Sequence, residues 1–510
     1  MKVSRFLIWC ILAAISGFIA LSYEMLWFRV YLYSESGSAQ SFGKLIGFYL
    51  LGIAFGSYYS RRFCFVPDSP DYERGKKILM LTLVLTSVIS FLVIPGGLIL
   101  ATELESQYML YLVCLATLFM GMTFPMITHY GIQATQDIGE KISYFYLSNI
   151  IGSSLGSFIT GFVLMDFFTT EQISLIILLL NTLLLLIVGF FILEKKWLIY
   201  NAGFVSLFFF SVYGFSNEIF YELYSKLSFK KEYSETNKFK YVLENKHGVI
   251  TVTHDGIIYG GGIYDGRYNL NLLDDKNILR RAFAFGGIHK NPKRILLIGL
   301  GSGSWSQVVV NHPDVEEVIC VEINDGYEQL LKHFPTVQSL ASNPKFKLIT
   351  DDGRRWLNKN PQEKFDVIIA NTTYHYRLMA SNLLSVEFME IIKSHLNQGG
   401  IYQYNTTYSE RAFLTGAKNF NYAVSYHNNV ICSDYAFTLD KEFWKKNLLR
   451  WKIDGKNVID TLSSEKKLKL AEILNTFDND VNSREYLLKK FGHLPEITDN
   501  NMGTEWEWNN

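Results

Sequence analysis

Cysteine is scarce in these 510 residues: five occur, at positions 10, 64, 114, 320 and 432, with no C-x-x-C pair and no other metal-ligand spacing. An odd, scattered set argues against a disulfide framework and against a thiolate metal centre. Each is expected to act as a small buried hydrophobe, and no metal site is expected. Net charge is lacking too, because 48 Lys and Arg balance 48 Asp and Glu. No overall field draws such a molecule to nucleic acid or to acidic polymers, so no nucleic-acid partner is expected. What abounds is apolar surface, with 49% hydrophobic residues and 15% aromatics. A chain of this composition has to bury much of that surface, and its length leaves room for two or three domains.

The apolar residues are concentrated in the first 215 positions. A helix needs about 20 predominantly apolar residues to cross a bilayer, and six stretches meet that length, near 6–28, 43–60, 78–100, 108–129, 145–165 and 172–193. A seventh, 197–214, is marginal, carrying Tyr200 and Asn201 alongside the run Leu207 to Phe210. The first stretch is too long for a signal-peptide core, lacks a small-residue cleavage site and is followed by further spans.

Basic residues set the expected orientation, since Lys and Arg stay on the cytoplasmic side. Lys2 and Arg5 precede the first span; Arg61, Arg62, Arg74, Lys76 and Lys77 lie between the second and third, and Lys195 and Lys196 follow the sixth. The loops after the third and fifth spans carry Glu103, Glu105, Asp166 and Glu171 and no cation. The N-terminus is therefore expected in the cytoplasm. Six crossings return the chain there, and a seventh would place the second half outside. Lys226, Lys230, Lys231, Lys238 and Lys240 favour the cytoplasmic alternative, with 197–214 lying on or re-entering the inner surface.

Glu24 and Arg29 flank Trp27 at the end of the first span. Two readings stand: an intramembrane site, or anchoring at the headgroup boundary, where Tyr23, Trp27 and Tyr31 would form an aromatic belt. Gly152, Gly156 and Gly161 in the fifth span are expected to permit close helix packing.

From about residue 239 the pattern changes. Short alternating runs broken by glycine, Tyr241–Leu243, Val249–Thr253 and Ile257–Tyr259, read as hairpins. A buried strand Arg294–Ile298 then leads into Gly299, Gly301 and Gly303 and a helix through Val310. Strand, glycine-rich turn and helix start in that order form a nucleotide cradle. Three more strands end in polar residues: Val318–Val321 in Glu322, Phe346–Ile349 in Asp351 and Asp352, and Phe365–Ile369 in Asn371. Glu322 suits an acceptor for ribose hydroxyls, and the two aspartates suit an adenine amino group. The sixth position of G-x-G-x-x-G is Ser304 rather than glycine, which disfavours a nicotinamide dinucleotide and favours S-adenosylmethionine.

The order of the glycine loop, Val321–Glu322–Ile323–Asn324, Asp351–Asp352–Gly353–Arg354 and Phe365–Ile369 resembles spermidine synthases, and in particular their membrane-fused bacterial relatives. Ser16–Gly17, Tyr23–Glu24, Trp27, Arg29, Gly121–Pro125, Asn149, Gly152, Thr498–Asn500 and Glu505 extend the likeness over most of the chain. The resemblance implies a class I methyltransferase-like Rossmann sheet preceded by β-hairpins. It also implies a cofactor that is S-adenosylmethionine, or its decarboxylated form, with methylthioadenosine as product. On that analogy Glu322 holds the ribose and Asp351 or Asp352 the adenine.

Two positions depart from the resembled pattern. Ser302 stands where those synthases carry the loop aspartate, and Asn371 where they carry the aspartate that takes a proton from the attacking amine. An amide can orient an amine but has no useful basicity near neutral pH. Three readings stay open: another base acts, the nucleophile needs none, or catalysis is lost. His375, between Tyr374 and Tyr376, is the nearest replacement base, with a loop-structural role as its alternative. Asp274 and Asp275 lie in the segment that covers the pocket in the resembled family. They either bind a cationic amine or form a solvated turn. Arg354, Arg355 and Trp356 follow the third strand, Trp356 as a core residue.

The expected architecture is an α-helical transmembrane bundle (1–215), a linker (216–240), a β-hairpin region (241–290), an α/β cofactor domain (291–450) and a C-terminal helical extension and tail (451–510). The expected activity is aminopropyl or methyl transfer at a bacterial inner membrane. Its expected partners are the lipid bilayer and a small amine or lipid-linked acceptor, with a homo-oligomer left open. The competing reading is a sensor or transporter whose soluble domain binds a nucleoside or polyamine without turnover.

Overall fold

The computed structural model describes residues 2–132, 137–193, 195–371, 374–459, 463–501 and 503–505, with side chains from Phe6 onward, so the side chains of Lys2 and Arg5 and all of Thr372 and Thr373 lie outside the described residues. Two compact units divide the chain, Met1–Val249 and Ile250–Asn510.

The first unit is helical: α1 Lys2–Ser34, α2 Ala39–Ser60, α3 Tyr72–Glu103, α4 Met109–Gly131 and α5 Ile138–Ile159. A π-helical turn, Thr160–Leu164, carries α5 into the short α6 Met165–Phe167. Then follow α7 Thr170–Ile192, α8 Lys195–Gly214, α9 Ser216–Ile219, α10 Leu223–Phe229 and strand β1 Phe239–Asn245. Thr169 starts α7 with a capping box, its hydroxyl accepting from Gln172 N–H while the Gln172 side chain accepts from Thr169 N–H. Among the described residues, six helical stretches are long and apolar enough to cross a membrane: Phe6–Ser34, Tyr72–Glu103, Ser106–Gly131, Ile138–Phe167, Thr170–Ile192 and Lys195–Gly214. The marginal segment of the sequence is thus a full apolar helix. Residues 43–60 do form helix α2, which is not among the six.

Large apolar side chains such as Phe162, Phe167, Phe190, Leu207 and Phe210 are exposed on this unit. Its interior is packed through small residues. A Cβ on Gly152 would meet the Ala14 carbonyl oxygen at 1.8 Å, and one on Gly156 the Phe18 carbonyl oxygen at 2.3 Å. These glycines let α1 and α5 approach backbone to backbone.

The aromatic belt expected at the end of α1 is not a belt. Tyr23, Trp27 and Tyr31 are buried inside the unit, with Tyr23 and Trp27 stacked at 5.4 Å between centroids. The reason is position: α1 is packed against α2, α3, α4, α5, α7 and α10, so its aromatic face has protein, not headgroups, around it. Arg29 is buried as well. Its Nη2 donates to the Asn245 carbonyl and its Nη1 lies 3.5 Å from the Glu244 carboxylate. That carboxylate also accepts from Thr170 N–H at 2.9 Å and from the Tyr224 hydroxyl at 2.8 Å.

The second unit opens with antiparallel strands β2 Gly248–Thr253, β3 Ile257–Gly260 and β4 Ile263–Arg267. The central sheet follows: β5 Arg294–Ile298, β6 Glu317–Glu322, β7 Phe346–Thr350, β8 Phe365–Ala370, β9 Leu396–Asn405, β10 Tyr422–Tyr426 and β11 Asn429–Ser433. After the two-residue strands β12 Lys452–Ile453 and β13 Lys456–Asn457 comes β14 Val481–Ser483. The spatial order is β14-β10-β11-β9-β8-β5-β6-β7, with β7, β6, β5, β8 and β9 parallel and β11 inserted antiparallel beside β9. This is the α/β arrangement of class I methyltransferase-like folds. The four parallel strands expected from the sequence lie where it placed them, to within a residue at either end. The Ile, Leu and Val runs of β5, β6 and β8 are buried, as a parallel sheet covered on both faces demands, while the edge strand β7 is only partly buried.

Strand register aligns the ends. Ile298 stands opposite Val321 and Ala370, Glu322 opposite Thr350, and Ala370 opposite Tyr404. The residues after these positions therefore emerge together at one sheet edge, where open α/β sheets bind ligands.

Candidate active site

The glycine loop forms the floor of this edge. Gly299, Gly301 and Gly303 have φ values of 92°, 52° and 75°, a region in which a side chain is strained. A Cβ on Gly299 would meet the Asn371 carbonyl oxygen at 2.8 Å, and one on Gly301 the Asp265 carbonyl oxygen at 3.1 Å. The loop is thereby drawn against the end of β8 and against β4. Gly303 precedes the helix Ser304–Val310, and the Ser302 hydroxyl is turned to the Ser304 hydroxyl at 3.0 Å.

Glu322, at the end of β6, is buried beneath this loop and accepts from Leu300 N–H at 2.7 Å and Asn324 N–H at 2.9 Å. Burial pushes its carboxyl up to about 7 against those donors, with nearby Asp265 adding to the rise. A carboxylate has about four lone-pair sites, so these two donors and the Gly301 N–H leave capacity for about one further hydroxyl.

Asp351 and Asp352 reach the same edge with structural partners. Asp351 accepts from Arg355 Nε, and Lys359 lies 3.8 Å away. Burial works upward on its carboxyl but is outweighed by the Arg355 and Asp352 N–H donors, which hold it below the usual range. Asp352 caps the helix Gly353–Lys359 by accepting from Arg355 N–H at 2.7 Å. Trp356 is in the core, as expected.

Beside the loop lies a cavity of about 110 Å³. Asn371 lines it together with Tyr264, Asp265 and Tyr374. Asn277 and Arg281 form another part of the wall, and Asn405, Thr407, Tyr408 and Asn428 the rest. Asp265 is the one carboxylate among the described lining residues. It accepts from the Tyr327 hydroxyl; burial raises its pKa, while Arg377 and that hydrogen bond oppose the rise.

His375 is buried behind this wall. Its N–H donates to Thr407 Oγ1 at 3.0 Å, its Nδ1 lies 2.7 Å from the same hydroxyl, and its carbonyl accepts from Thr504 Oγ1 at 2.8 Å. Asp275 is not a lining residue. It accepts from Arg280 N–H at 2.8 Å and from Arg280 Nη1 at 2.5 Å, and Asp274 pairs with Lys276 at 2.9 Å on the surface. Of the three residues expected to be catalytic, Asn371 alone faces the cavity.

The tail holds the loop after β8. Glu505 accepts from Met379 N–H at 3.1 Å, from Ser381 N–H at 3.0 Å and from the Ser381 hydroxyl. Asp499 accepts from Arg354 Nη1 at 2.7 Å and from the Ser385 hydroxyl at 2.6 Å. Arg411 Nη1 donates to the Gly503 carbonyl at 2.6 Å.

Asp265 and Arg281 were not singled out by sequence. Asp265 stands in an ordinary D-G turn pattern, and Arg281 in an R-R pair whose two members point into different surroundings. Only the fold distinguishes them.

Residues 284–439 match the family described as the spermine/spermidine synthase domain. The polyamine aminopropyltransferase of Thermoanaerobacter sp. (strain X514) is 32% identical over 114 residues, which is 22% of this chain and 40% of that protein. That of Yersinia pestis (strain Pestoides F) is 35% identical over 116 residues, 22% of this chain and 38% of that protein. The chain therefore spans about two fifths of the length of the curated relatives it matches. Among solved structures, spermidine synthase from Thermotoga maritima is 17% identical with a TM-score of 0.38, covering 51% of this chain and 89% of that one. Human methyltransferase-like protein 13 in complex with SAH is 17% identical with a TM-score of 0.25, covering 44% and 93%.

Proposed function

We propose that the second unit is a spermidine synthase-like alkyl transferase, moving an aminopropyl group from decarboxylated S-adenosylmethionine, or a methyl group from S-adenosylmethionine, to an amine acceptor. The helical unit would keep it at a membrane. The observation that carries this reading is the convergence, at one sheet edge, of the strained glycine loop, the buried Glu322 and the cavity that holds Asn371 and Asp265.

The residues present fit an adenosyl group. Glu322 keeps acceptor capacity for a ribose hydroxyl, the three positive-φ glycines leave the loop backbone bare, and Asp351 sits at the next strand end. A sulfonium held there supplies an electrophilic carbon and a neutral thioether leaving group. The C–S bond breaks with its electron pair passing to sulfur, the acceptor nitrogen bonds to the carbon, and the nitrogen loses a proton. Asn371 orients the amine, and Asp265 receives the proton. Asp265 fills the role that the amide at 371 cannot, because burial raises the basicity of its carboxylate. Positioning supplies much of the acceleration in such a displacement. His375 holds Thr407, and Thr407 contributes to the cavity wall.

Calorimetry of the full-length protein in detergent with S-adenosylmethionine, its decarboxylated analogue and methylthioadenosine tests the donor site; no heat from any of the three would end the proposal. Asp265→Asn is expected to bind methylthioadenosine within about twofold of wild type and to lose about 10²–10⁴-fold in turnover. Asn371 in place of a base favours a second reading, a nucleoside-binding sensor. Intact binding with no labelled product from any amine or lipid would establish that one instead.

A further inference from the structure

Arg280 and Arg281 are adjacent in sequence and opposite in electrostatic state. Arg280 is neutralised, paired with Asp275 and lying 3.6 Å from Asp480. Arg281 is 4% exposed, lines the cavity and donates hydrogen bonds only to neutral acceptors, with Asp275 acting on it from a distance. Its Nη1 donates to Asn428 Oδ1 at 2.6 Å and Asn429 Oδ1 at 3.2 Å, its Nη2 to the Asn277 carbonyl at 3.0 Å and its Nε to the Ile278 carbonyl at 3.1 Å. Its guanidinium carbon lies 5.2 Å from the centre of the Trp305 ring. Four hydrogen bonds use four of its five N–H groups, which leaves one Nη2 hydrogen for a ligand.

Amide and carbonyl oxygens fix a guanidinium in place without cancelling its charge. A buried cation kept without a carboxylate is destabilising unless something else supplies the negative charge. Burial accordingly pulls the Arg281 pKa down to about 10, still far above neutrality, so the group is a cation whenever the protein works. Asp265, the one carboxylate of the described wall, already faces Arg377 and the Tyr327 hydroxyl. A ligand with only ammonium groups would therefore meet a like charge that Asp275, itself paired with Arg280, offsets only from a distance.

We infer that the acceptor of this cavity carries an oxyanion, a carboxylate or phosphate ester, beside the amine that is alkylated, and that Arg281 receives it, an inference that rests on the transferase reading above. The amine faces Asn371 and Asp265 while the oxyanion takes the remaining Arg281 N–H. The Asn405 and Asn428 amides lie on the same wall and are joined to each other, Asn428 Nδ2 donating to Asn405 Oδ1 at 3.0 Å.

Matched amines test this on the full-length protein in detergent. Putrescine and ornithine share a carbon chain and differ by one carboxylate, and 4-aminobutyrate has a carboxylate in place of one putrescine aminomethyl group. In competition binding with methylthioadenosine present, the two carboxylates are expected to bind about 10–100-fold more tightly than putrescine, the gain of one charge-assisted hydrogen bond. Arg281→Gln is expected to abolish the preference and Arg281→Lys to keep its sign. Putrescine binding as tightly as ornithine to the wild type would overturn the inference, whatever the variants do.

Nanodiscs containing phosphatidylethanolamine, against phosphatidylcholine alone, distinguish the source of the oxyanion. An Arg281-dependent mass gain on phosphatidylethanolamine places it on a lipid, and product from the free amino acids alone places it in solution. Carboxylate preference without methylthioadenosine binding would sink the transferase reading and leave Arg281 as an oxyanion site. Methylthioadenosine binding without carboxylate preference would sink the Arg281 assignment alone.

Discussion

Arg29 and Glu244 face each other at 3.5 Å in the interior of the helical unit, one near the end of the first helix and the other on the strand that follows the last. Glu244 is further held by Thr170 and Tyr224, so a single carboxylate ties α1, α7, α10 and β1 together. Removing one partner leaves an uncompensated buried charge, which costs about 3–5 kcal/mol. Glu244→Ala is expected to lower the unfolding midpoint of the detergent-solubilised protein sharply. The double variant Arg29→Met, Glu244→Ala is expected to recover part of that loss; a double variant no more stable than the single would contradict the pairing.

Helix α5 provides its own control for close packing. At Gly156 a new Cβ would collide with the Phe18 carbonyl oxygen at 2.3 Å, whereas nothing lies within 4 Å of one at Gly139. Gly156→Ala is expected to destabilise by about 1–3 kcal/mol through overpacking. Gly139→Ala is expected to be neutral or slightly stabilising, from helix propensity alone. Equal effects at the two sites, measured by thermal inactivation, would mean that α1 and α5 do not approach as described.

Glu322 links binding to pH. Its raised pKa means that the folded state favours the protonated carboxyl: that contribution to stability is full below the ordinary carboxyl value of 4.5 and is lost as pH rises through about 7. The ionised form is the better acceptor for hydroxyls. Methylthioadenosine affinity is therefore expected to rise between pH 6 and 8 in the wild type, by calorimetry. In Glu322→Gln it is expected to be flat and about 10–100-fold weaker.

His312 works in the opposite sense. It is fully buried against Trp451, with ring centroids 4.5 Å apart, and burial lowers its pKa from 6.5 to about 4. A depressed histidine keeps its full contribution above its unfolded value and loses it as pH falls toward the folded one. The second unit should weaken between pH 6.5 and 4 by about 1.4 kcal/mol per unit, to a total of about 3 kcal/mol. His312→Phe keeps the ring and removes the titration. The difference between wild-type and variant stability curves isolates the histidine from Glu322, and parallel curves would rule out a buried neutral imidazole.

How much of this was legible in the sequence depended on periodicity. Long apolar runs and the β5 to β8 strands are local signals: the strands emerged within a residue of where the pattern placed them, and most of the helices extend several residues beyond the apolar runs that marked them. The Gly299–Gly303 loop was legible for the same reason, as its backbone conformation excludes most other residues. Burial at the end of α1 was not legible, because Tyr23, Trp27 and Tyr31 carry the same amphipathic signature in a headgroup layer and in a polar protein interior. Asp275 and Asp265 show the limit most clearly. Both are acids in the segment ahead of β5, and only tertiary contacts turn one toward Arg280 and the other into the cavity wall. Strands β9, β10, β11 and β14 were missed, since their tyrosines, asparagines and glutamine interrupt the apolar alternation that marks a strand.

The contacts of Thr504 and Glu505 have a practical corollary for anyone handling the protein. A proteolytic cut between Phe491 and Gly503 would spare every strand of the sheet and every bilayer-length helix, yet detach the anchor of the segment from His375 to Ser381. Such a nicked sample would pass circular dichroism and size exclusion while its binding wall sagged, so intact mass, rather than foldedness, is the measure of an active preparation.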